Sequence, residues 1–253
     1  MSDEAPFPRL VAESTDLPAP FLMLGPMAGE DLGSRLAAIR RGIAAACERA
    51  GRDPDQVTVV AAAKTVEPDE VRRAVDLGVS AIGHNYVQEL RAARAALGED
   101  AVEWHYIGTL RSGTAHVVAD HADVVETVAG DRAARRLAGR AARSGRTLDV
   151  LLEVDLTGER SGLAPADVAP AADSVAALDG LRVRGLMTIA PLGSLDVART
   201  AFRRLRDLRD EVRDQHPDVL ELSMGMSLDY EVAVEEGATM VRIGSGLFGP
   251  RPT

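Results

Sequence analysis

The fold class follows from Val57-Thr58-Val59-Val60-Ala61-Ala62-Ala63-Lys64-Thr65, the most apolar strand-like run in this chain of 253 residues. Residues 68–77 come next and have the spacing of an amphipathic helix. A short apolar run followed by such a helix is the first half of a parallel βαβ unit. The same alternation continues to the end of the sequence.

Eight apolar runs of strand length alternate with helical stretches. The predicted strands are residues 57–63, 79–83, 102–108, 122–127, 148–155, 182–188, 219–223 and 239–243. The predicted helices between them are residues 68–77, 86–97, 112–120, 131–144, 166–178, 196–215 and 227–236. Eight units in roughly 200 residues match the size of a closed (β/α)8 TIM barrel. A doubly wound open sheet is the alternative, but no Gly-x-Gly-x-x-Gly follows the first strand to support it.

The chain divides into a short arm and one domain. Residues 1–30 carry five prolines without sustained periodicity, which is typical of a flexible arm. From Asp31 the pattern becomes helical, with Leu32, Leu36 and Ile39 on one face, and this helix is expected to end near Gly51. We therefore predict an arm at 1–30, and a barrel at 31–253 with an extra N-terminal helix.

Bulk composition excludes several classes of function. The formal net charge is -10, which repels a phosphate backbone, so we expect no nucleic-acid partner. Cys47 is the single cysteine, and the five histidines lack ligand spacing, so neither a disulfide nor a metal site is expected. The longest apolar runs are too short for a membrane span, and no signal peptide is recognisable. We expect a cytoplasmic protein.

Lys64 is the first candidate for chemistry, because barrel enzymes place their chemistry at the carboxyl ends of the strands. A lone ammonium at the end of a buried strand is costly unless it is paired or used covalently. Burial favours the neutral form of an amine, which is the form that attacks a carbonyl, so we favour an imine to an aldehyde cofactor. The alternative is a lysine that extends to solvent.

Two turns rich in glycine and serine indicate a phosphate site. The turns Leu222–Ser227 and Val241–Gly249 follow the seventh and eighth predicted strands, where barrels of this type often bind phosphate. Both turns supply hydroxyl groups and backbone without side chains. The alternative is that the glycines only permit tight turns.

Two further residues lie inside predicted strands. Alternation places Arg242 on the face opposite Val241, and a guanidinium inside the barrel needs an acceptor such as a pyridine nitrogen, a carboxylate or a phosphate. A salt bridge to Glu153 or Asp155 is the alternative.

His105 alternates with bulky aromatic neighbours, and we interpret it as a hydrogen-bonded core residue rather than a proton shuttle.

Six motifs in this order carry a resemblance that covers the chain from about residue 31 to its end. They are Ala62-Ala63-Lys64-Thr65, Gly83–Glu89, Trp104–Gly108, Gly185–Ile189, Leu222–Ser227 and Thr239–Ser245. The sequence resembles the pyridoxal-phosphate homeostasis proteins, the YggS-like family. That resemblance implies a single barrel like the cofactor domain of alanine racemase, with pyridoxal 5'-phosphate (PLP) bound as a Schiff base.

The resemblance also assigns roles to individual residues. Lys64 would hold PLP covalently, Asn85 would lie near its ring, and Arg242 would face its pyridine nitrogen. The residues that would cradle the phosphate are Ser223, Gly225, Gly244 and Ser245. Two places depart from the family pattern: His84 stands where a glutamate is expected, and residues 110–114 replace a Gln-x-Asn-Lys cluster.

The implied function is intracellular PLP homeostasis, by a carrier of the cofactor rather than an enzyme with substantial turnover. PLP-dependent apo-enzymes are candidate partners, and we expect a monomer because a complete barrel has no unpaired strand edge. An amino-acid racemase-like enzyme is the alternative. It needs a second domain, for which the ten residues after the eighth predicted strand leave no room. A class I aldolase-like lyase would also use a barrel lysine, but no partnered lysine or tyrosine favours it.

Overall fold

A computed structural model describes residues 31–99 and 101–250, and eight parallel strands form its centre. The strands are β1 (Thr58–Ala62), β2 (Ala81–His84), β3 (Glu103–Tyr106), β4 (Val124–Val128), β5 (Leu148–Glu153), β6 (Leu181–Met187), β7 (Glu221–Ser223) and β8 (Met240–Ile243). They pair in chain order, and β8 returns to pair with β1, so the sheet closes into a barrel.

Nine helices are present in the described part of the chain. They are α1 (Leu32–Ala50), α2 (Pro68–Asp76), α3 (Val87–Leu97), α4 (Ala115–His121), α5 (Asp131–Arg143), α6 (Val168–Ala176), α7 (Leu195–Arg213), α8 (Tyr230–Glu235) and α9 (Ser245–Phe248). Two 3-10 turns, Pro54–Gln56 and Pro165–Asp167, precede β1 and α6. Seven of the helices, α2 to α8, each follow the strand of one lower number, as expected for βαβ units.

The extra N-terminal helix α1 has a recognisable start and stop. The Asp31 carboxylate accepts a hydrogen bond from the Ser34 N–H at 2.7 Å, and Gly51 ends the helix at a φ of 65°. Its first turn lies beside α9, since Arg35 Nε donates to the Leu247 carbonyl at 2.5 Å. Its last turn lies beside α8, where Arg49 pairs with Glu235 at 2.6 Å.

The barrel prediction is confirmed, and all eight strands occur where they were expected. Strand and helix ends differ from the predicted ones by up to three residues. The sequence did not predict α9 or the 3-10 turns, because three or four residues are too few to show a helical period. The predicted arm at 1–30 lies outside the described residues.

Side-chain alternation separates two layers of the core. Residues such as Ile82, Leu152 and Ile243 point outward and form the apolar layer beneath the helices. The interior of the barrel also contains polar side chains, among them the buried Glu126 and Arg242. No helix among the described residues is long and apolar enough to cross a membrane.

Candidate functional site

A cavity of about 670 Å³ opens at the carboxyl ends of the strands. Its walls come from β1, β2, the β6–α7 loop, the β7–α8 loop and the turn after β8. Polar residues that line it include Lys64, Asn85, Ser194, Asp229, Arg242 and Ser245. Its volume lies within the usual range for a small-molecule site.

Lys64 lies two residues beyond the end of β1 and is half-buried in the cavity wall. Its Nζ lies 5.4 Å from the centre of the Tyr86 ring, within cation–π distance. The next residue, Thr65, has a φ of 59°, so the chain turns sharply directly after the lysine. Lys64 is also the single lysine of the 253-residue sequence.

Asn85 enters the cavity because the rims of β2 and β3 approach closely. Its Nδ2 is 3.4 Å from the Ile107 carbonyl oxygen, and the next residue along that rim is Gly108. A Cβ placed on Gly108 would collide with the backbone carbonyl of Asn85. Only glycine at position 108 permits this approach.

The turn after β7 is shaped by Gly225. It has a φ of 92°, and a Cβ there would lie 2.5 Å from the Cβ of Ala233. The Gly225 carbonyl accepts the Arg242 N–H at 2.9 Å, which ties this turn to β8. A second link joins Ser227 Oγ to the Gly246 N–H at 3.0 Å, so the two glycine-bearing turns form one wall.

Arg242 forms part of the cavity floor and is 5% exposed. Its Nη1 donates to Ser223 Oγ at 2.6 Å, and its Nη2 donates to the Thr188 carbonyl at 2.8 Å. Burial lowers the pKa of the guanidinium, while the charges of Glu126, Asp229 and Glu153 act in the opposite direction. An arginine nevertheless keeps its proton in proteins, so the floor of the cavity is cationic.

A buried hydrogen-bond chain continues below Arg242. The Ser223 hydroxyl donates to Glu126 Oε2 at 2.6 Å, and Glu126 Oε1 lies 2.7 Å from His105 Nδ1. His105 Nε2 lies 2.9 Å from the carboxylate of Glu103 at the opposite rim. The prediction that His105 is a hydrogen-bonded core residue is thus confirmed.

Two carboxylates around one imidazole set its charge. Burial alone would lower the pKa of His105, but the hydrogen bonds to Glu103 and Glu126 outweigh burial and raise the pKa to about 9. Burial would raise the pKa of Glu126, yet His105, Arg242 and Ser223 together hold it below its usual value. At neutral pH this chain therefore contains a histidine cation between two carboxylates.

Five of the seven predicted site residues line the cavity. They are Lys64, Asn85, Arg242, Gly244 and Ser245. Ser223 and Gly225 lie behind the wall, and the Ser223 hydroxyl is taken by Glu126 and Arg242. The sequence reading missed Glu126, which has no motif around it.

The alternative partners considered for Arg242 are not used. Among the described residues, neither Glu153 nor Asp155 forms an ion pair with Arg242; its one charged neighbour within 4.0 Å is Glu126, at 3.8 Å. Asp155 instead accepts hydrogen bonds within its own loop, from the N–H groups of Thr157 and Arg160. Two more acids stand near the guanidinium, and burial raises the pKa of both Glu153 and Asp229.

His84, which departs from the family pattern, points away from the cavity toward α3. It is 2% exposed, and its ring stacks on Trp104 with the centroids 6.3 Å apart. Neither ring nitrogen has a hydrogen-bond partner among the described residues, and the Glu89 carboxylate lies 3.8 Å away. Burial lowers the pKa of His84 to about 4, so the ring is neutral at physiological pH.

Comparison with known proteins agrees with this geometry. A profile of the family described as "Alanine racemase, N-terminal domain" matches residues 34–252. The Pyridoxal phosphate homeostasis protein of Aquifex aeolicus is 38% identical over 221 residues, which are 86% of this chain and 97% of that protein. The protein of the same name from Escherichia coli K12 is 36% identical over 228 residues, 87% of this chain and 97% of that one.

A solved structure is also similar to this chain. The structure of PipY from Synechococcus elongatus PCC7942 with PLP bound superposes with a TM-score of 0.77 at 34% identity. The match covers 87% of this chain and 100% of that chain. The barrel and its lysine-bearing rim therefore define a protein of the alanine racemase N-terminal class. Within that class, the chain belongs to the family of pyridoxal phosphate homeostasis proteins.

Proposed function

We propose that this chain binds PLP in the cavity, holds it as a Schiff base on Lys64 and thereby serves intracellular PLP homeostasis. One observation carries the proposal: the single lysine of the sequence lines the same cavity as Arg242, Gly244 and Ser245. An aldehyde, a ring nitrogen and a phosphate would each find a complementary group there. The name of the relatives and the PLP bound to PipY support the same cofactor.

Lys64 supplies the covalent link. Its amine would hold the aldehyde group of PLP as an imine, with water as the other product, and PLP would supply the carbonyl chemistry. Lys64 is half-buried, and its Nζ lies over the Tyr86 ring.

Arg242 favours retention of the cofactor over turnover. When bound, PLP supplies an electron sink that works best with a protonated pyridine nitrogen. A guanidinium that faces this nitrogen disfavours its protonation, and Arg242 keeps its proton with the charges of Glu126, Asp229 and Glu153 near it. We therefore propose a carrier of PLP rather than an efficient racemase.

The remaining contacts follow from the walls of the cavity. We propose that Asn85 contacts the ring, and that Gly244 and Ser245, which line the same cavity, bind the phosphate with backbone N–H groups and a hydroxyl. Gly225 shapes the neighbouring turn. For Ser223 we propose a different role from the one expected from the sequence, because its hydroxyl binds Arg242 and Glu126.

Partners and location extend the proposal. We propose PLP-dependent apo-enzymes as recipients of the cofactor, and a monomer as the working form, since the barrel closes on itself. A cytoplasmic location fits the free, buried Cys47. Light scattering on the purified protein checks the monomer, and a mass of two chains contradicts it.

Reconstitution with PLP tests the function. The wild type should keep about one equivalent of a yellow chromophore after dialysis, whereas Lys64→Arg and Lys64→Ala should lose it while their circular dichroism stays unchanged. A colourless wild type refutes the proposal. Assays with alanine and other amino acids test the carrier role, and rapid racemisation supports the enzyme alternative instead.

A further inference from the structure

Glu126 is a carboxylate in the middle of the buried strand β4, and its side chain is fully inaccessible to solvent. Such a group is costly to bury unless every oxygen has a partner. Both oxygens are used, one by His105 at 2.7 Å and the other by the Ser223 hydroxyl at 2.6 Å. The barrel interior is thus built around this acid.

The contacts of Glu126 extend in two directions. Toward the amino-terminal rim, His105 connects it to Glu103, whose side chain is 48% exposed. Toward the cavity, Ser223 connects it to Arg242, whose Nη1 donates to the same hydroxyl at 2.6 Å. Five side chains from β3, β4, β7 and β8 therefore link the outer rim of the barrel to the cavity floor.

The hydroxyl of Ser223 has a defined direction in this chain. It has one proton, which it gives to Glu126, and its lone pairs therefore face the guanidinium. A Glu126 carboxylate oxygen also lies 3.8 Å from Arg242 Nη1. Charge attraction therefore holds the guanidinium in the same position as the hydrogen bonds through Ser223 do. A second anchor, the Thr188 carbonyl, holds Nη2 and leaves the guanidinium little freedom.

We propose that Glu126 is a positioning residue that sets the orientation of Arg242 through the Ser223 hydroxyl. The functional part of this inference rests on the proposed PLP site, in which Arg242 faces the cofactor ring. Without Glu126, the Ser223 hydroxyl is free to rotate, and the guanidinium is free to turn toward Glu153 and Asp229, the other acids near it.

The first test uses the cofactor-free protein. Hydrogen exchange of the Arg242 side-chain N–H groups is followed by NMR, with the signals assigned through their loss in Arg242→Gln. Glu126→Gln should speed exchange about tenfold, the effect of losing one hydrogen bond to a charged group. Glu103→Gln is the matched control, since it removes the second carboxylate that contacts His105 and leaves the contacts of Ser223 unchanged. In this variant the Arg242 side-chain exchange rate should match that of the wild type.

Ser223→Ala separates the effect of the Ser223 hydrogen bonds from the effect of the Glu126 charge. It also provides a test if Glu126→Gln does not fold. It removes the hydroxyl, keeps every charge, and should speed Arg242 exchange as Glu126→Gln does. The His105 ring signals should stay those of the wild type. Unchanged exchange in Ser223→Ala, or equal acceleration in Glu103→Gln, overturns the proposal.

The second test uses protein loaded with PLP. Glu126→Gln and Ser223→Ala should shift the pH midpoint of the bound chromophore's absorbance, and Glu103→Gln should not. Identical midpoints in all four proteins contradict the role of Glu126. If the wild type binds no PLP, the proposed function fails, while the exchange experiment still decides whether Glu126 positions Arg242.

Discussion

Lys64 is followed by a residue in an uncommon conformation. Thr65 has a φ of 59°, and a β-branched residue in this left-handed region costs about 1–2 kcal/mol. Its hydroxyl donates to the Lys64 carbonyl at 2.6 Å, which partly offsets that cost. The strained turn directs the chain away from the barrel immediately after the lysine and so fixes where the amine begins.

Substitution at Thr65 is expected to change stability without a change in charge. Thr65→Asn should stabilise the cofactor-free protein by about 0.5–1 kcal/mol, because asparagine tolerates the left-handed region. Thr65→Val keeps the branched shape, loses the hydroxyl and should destabilise it. Urea unfolding measures both, and a stability order with valine above asparagine contradicts the strain argument.

His84 gives the protein a predictable sensitivity to acid. Its pKa is about 4 in the folded protein and 6.5 in the unfolded chain, so the unfolded chain binds the extra proton between these values. Stability is therefore lost as the pH falls below 6.5. Between pH 7 and pH 5 the loss from this residue is on the order of 2 kcal/mol.

His84→Phe isolates that contribution. Phenylalanine keeps an aromatic ring against Trp104 but cannot take up a proton, so the drop in stability between pH 7 and pH 5 should be smaller than in the wild type. Urea unfolding at the two pH values gives the comparison. An equal drop in both proteins would show that His84 is not the group that titrates.

At the scale of secondary-structure elements, the site depends on how closely two rims approach. Gly108 follows β3 and lies against the Asn85 backbone, which follows β2. Gly108→Ala should cost about 1–3 kcal/mol, as overpacking typically does, and should weaken PLP binding by displacing Asn85. Gly113→Ala, on the same rim, is the control, since a Cβ there meets nothing within 4 Å.

Thermal unfolding and PLP titration of both variants test this prediction. Gly113→Ala should resemble the wild type in both measurements. Equal behaviour of the two variants would mean that the approach of the β2 and β3 rims does not position Asn85.

For the whole molecule, the sequence predicted the architecture more completely than the site. Strand and helix alternation is repeated eight times, so errors of a few residues at the ends did not alter the barrel. The residues of the cavity floor were harder to predict from the sequence, because Glu126 and Ser223 are 97 residues apart and meet only when the barrel closes. A glutamate within Val124–Val128 has no local signal that distinguishes a buried network from an exposed strand face.

The buried network also predicts the alkaline limit of stability. His105 has a pKa of about 9 when folded and 6.5 when unfolded, so its contribution is full below 6.5 and is lost as the pH rises through 9. Glu103→Gln removes one of the two carboxylates that hold the proton and so brings the folded-state pKa of His105 closer to 6.5. Its alkaline loss of stability should therefore be smaller and should be complete at a lower pH than in the wild type. Unfolding curves from pH 7 to pH 10 measure this, and coincident profiles contradict it.

The small number of amines in the whole chain makes it easy to test the central claim, that PLP is attached to Lys64. Since Lys64 is the single lysine, a PLP adduct on a side-chain amine has one possible location. Borohydride reduction of the loaded protein, followed by peptide mass spectrometry, determines where the cofactor is attached. We predict one reduced PLP group, on the peptide that contains Lys64. A loaded protein that gives no adduct there, or gives one on the N-terminal amine instead, contradicts the account.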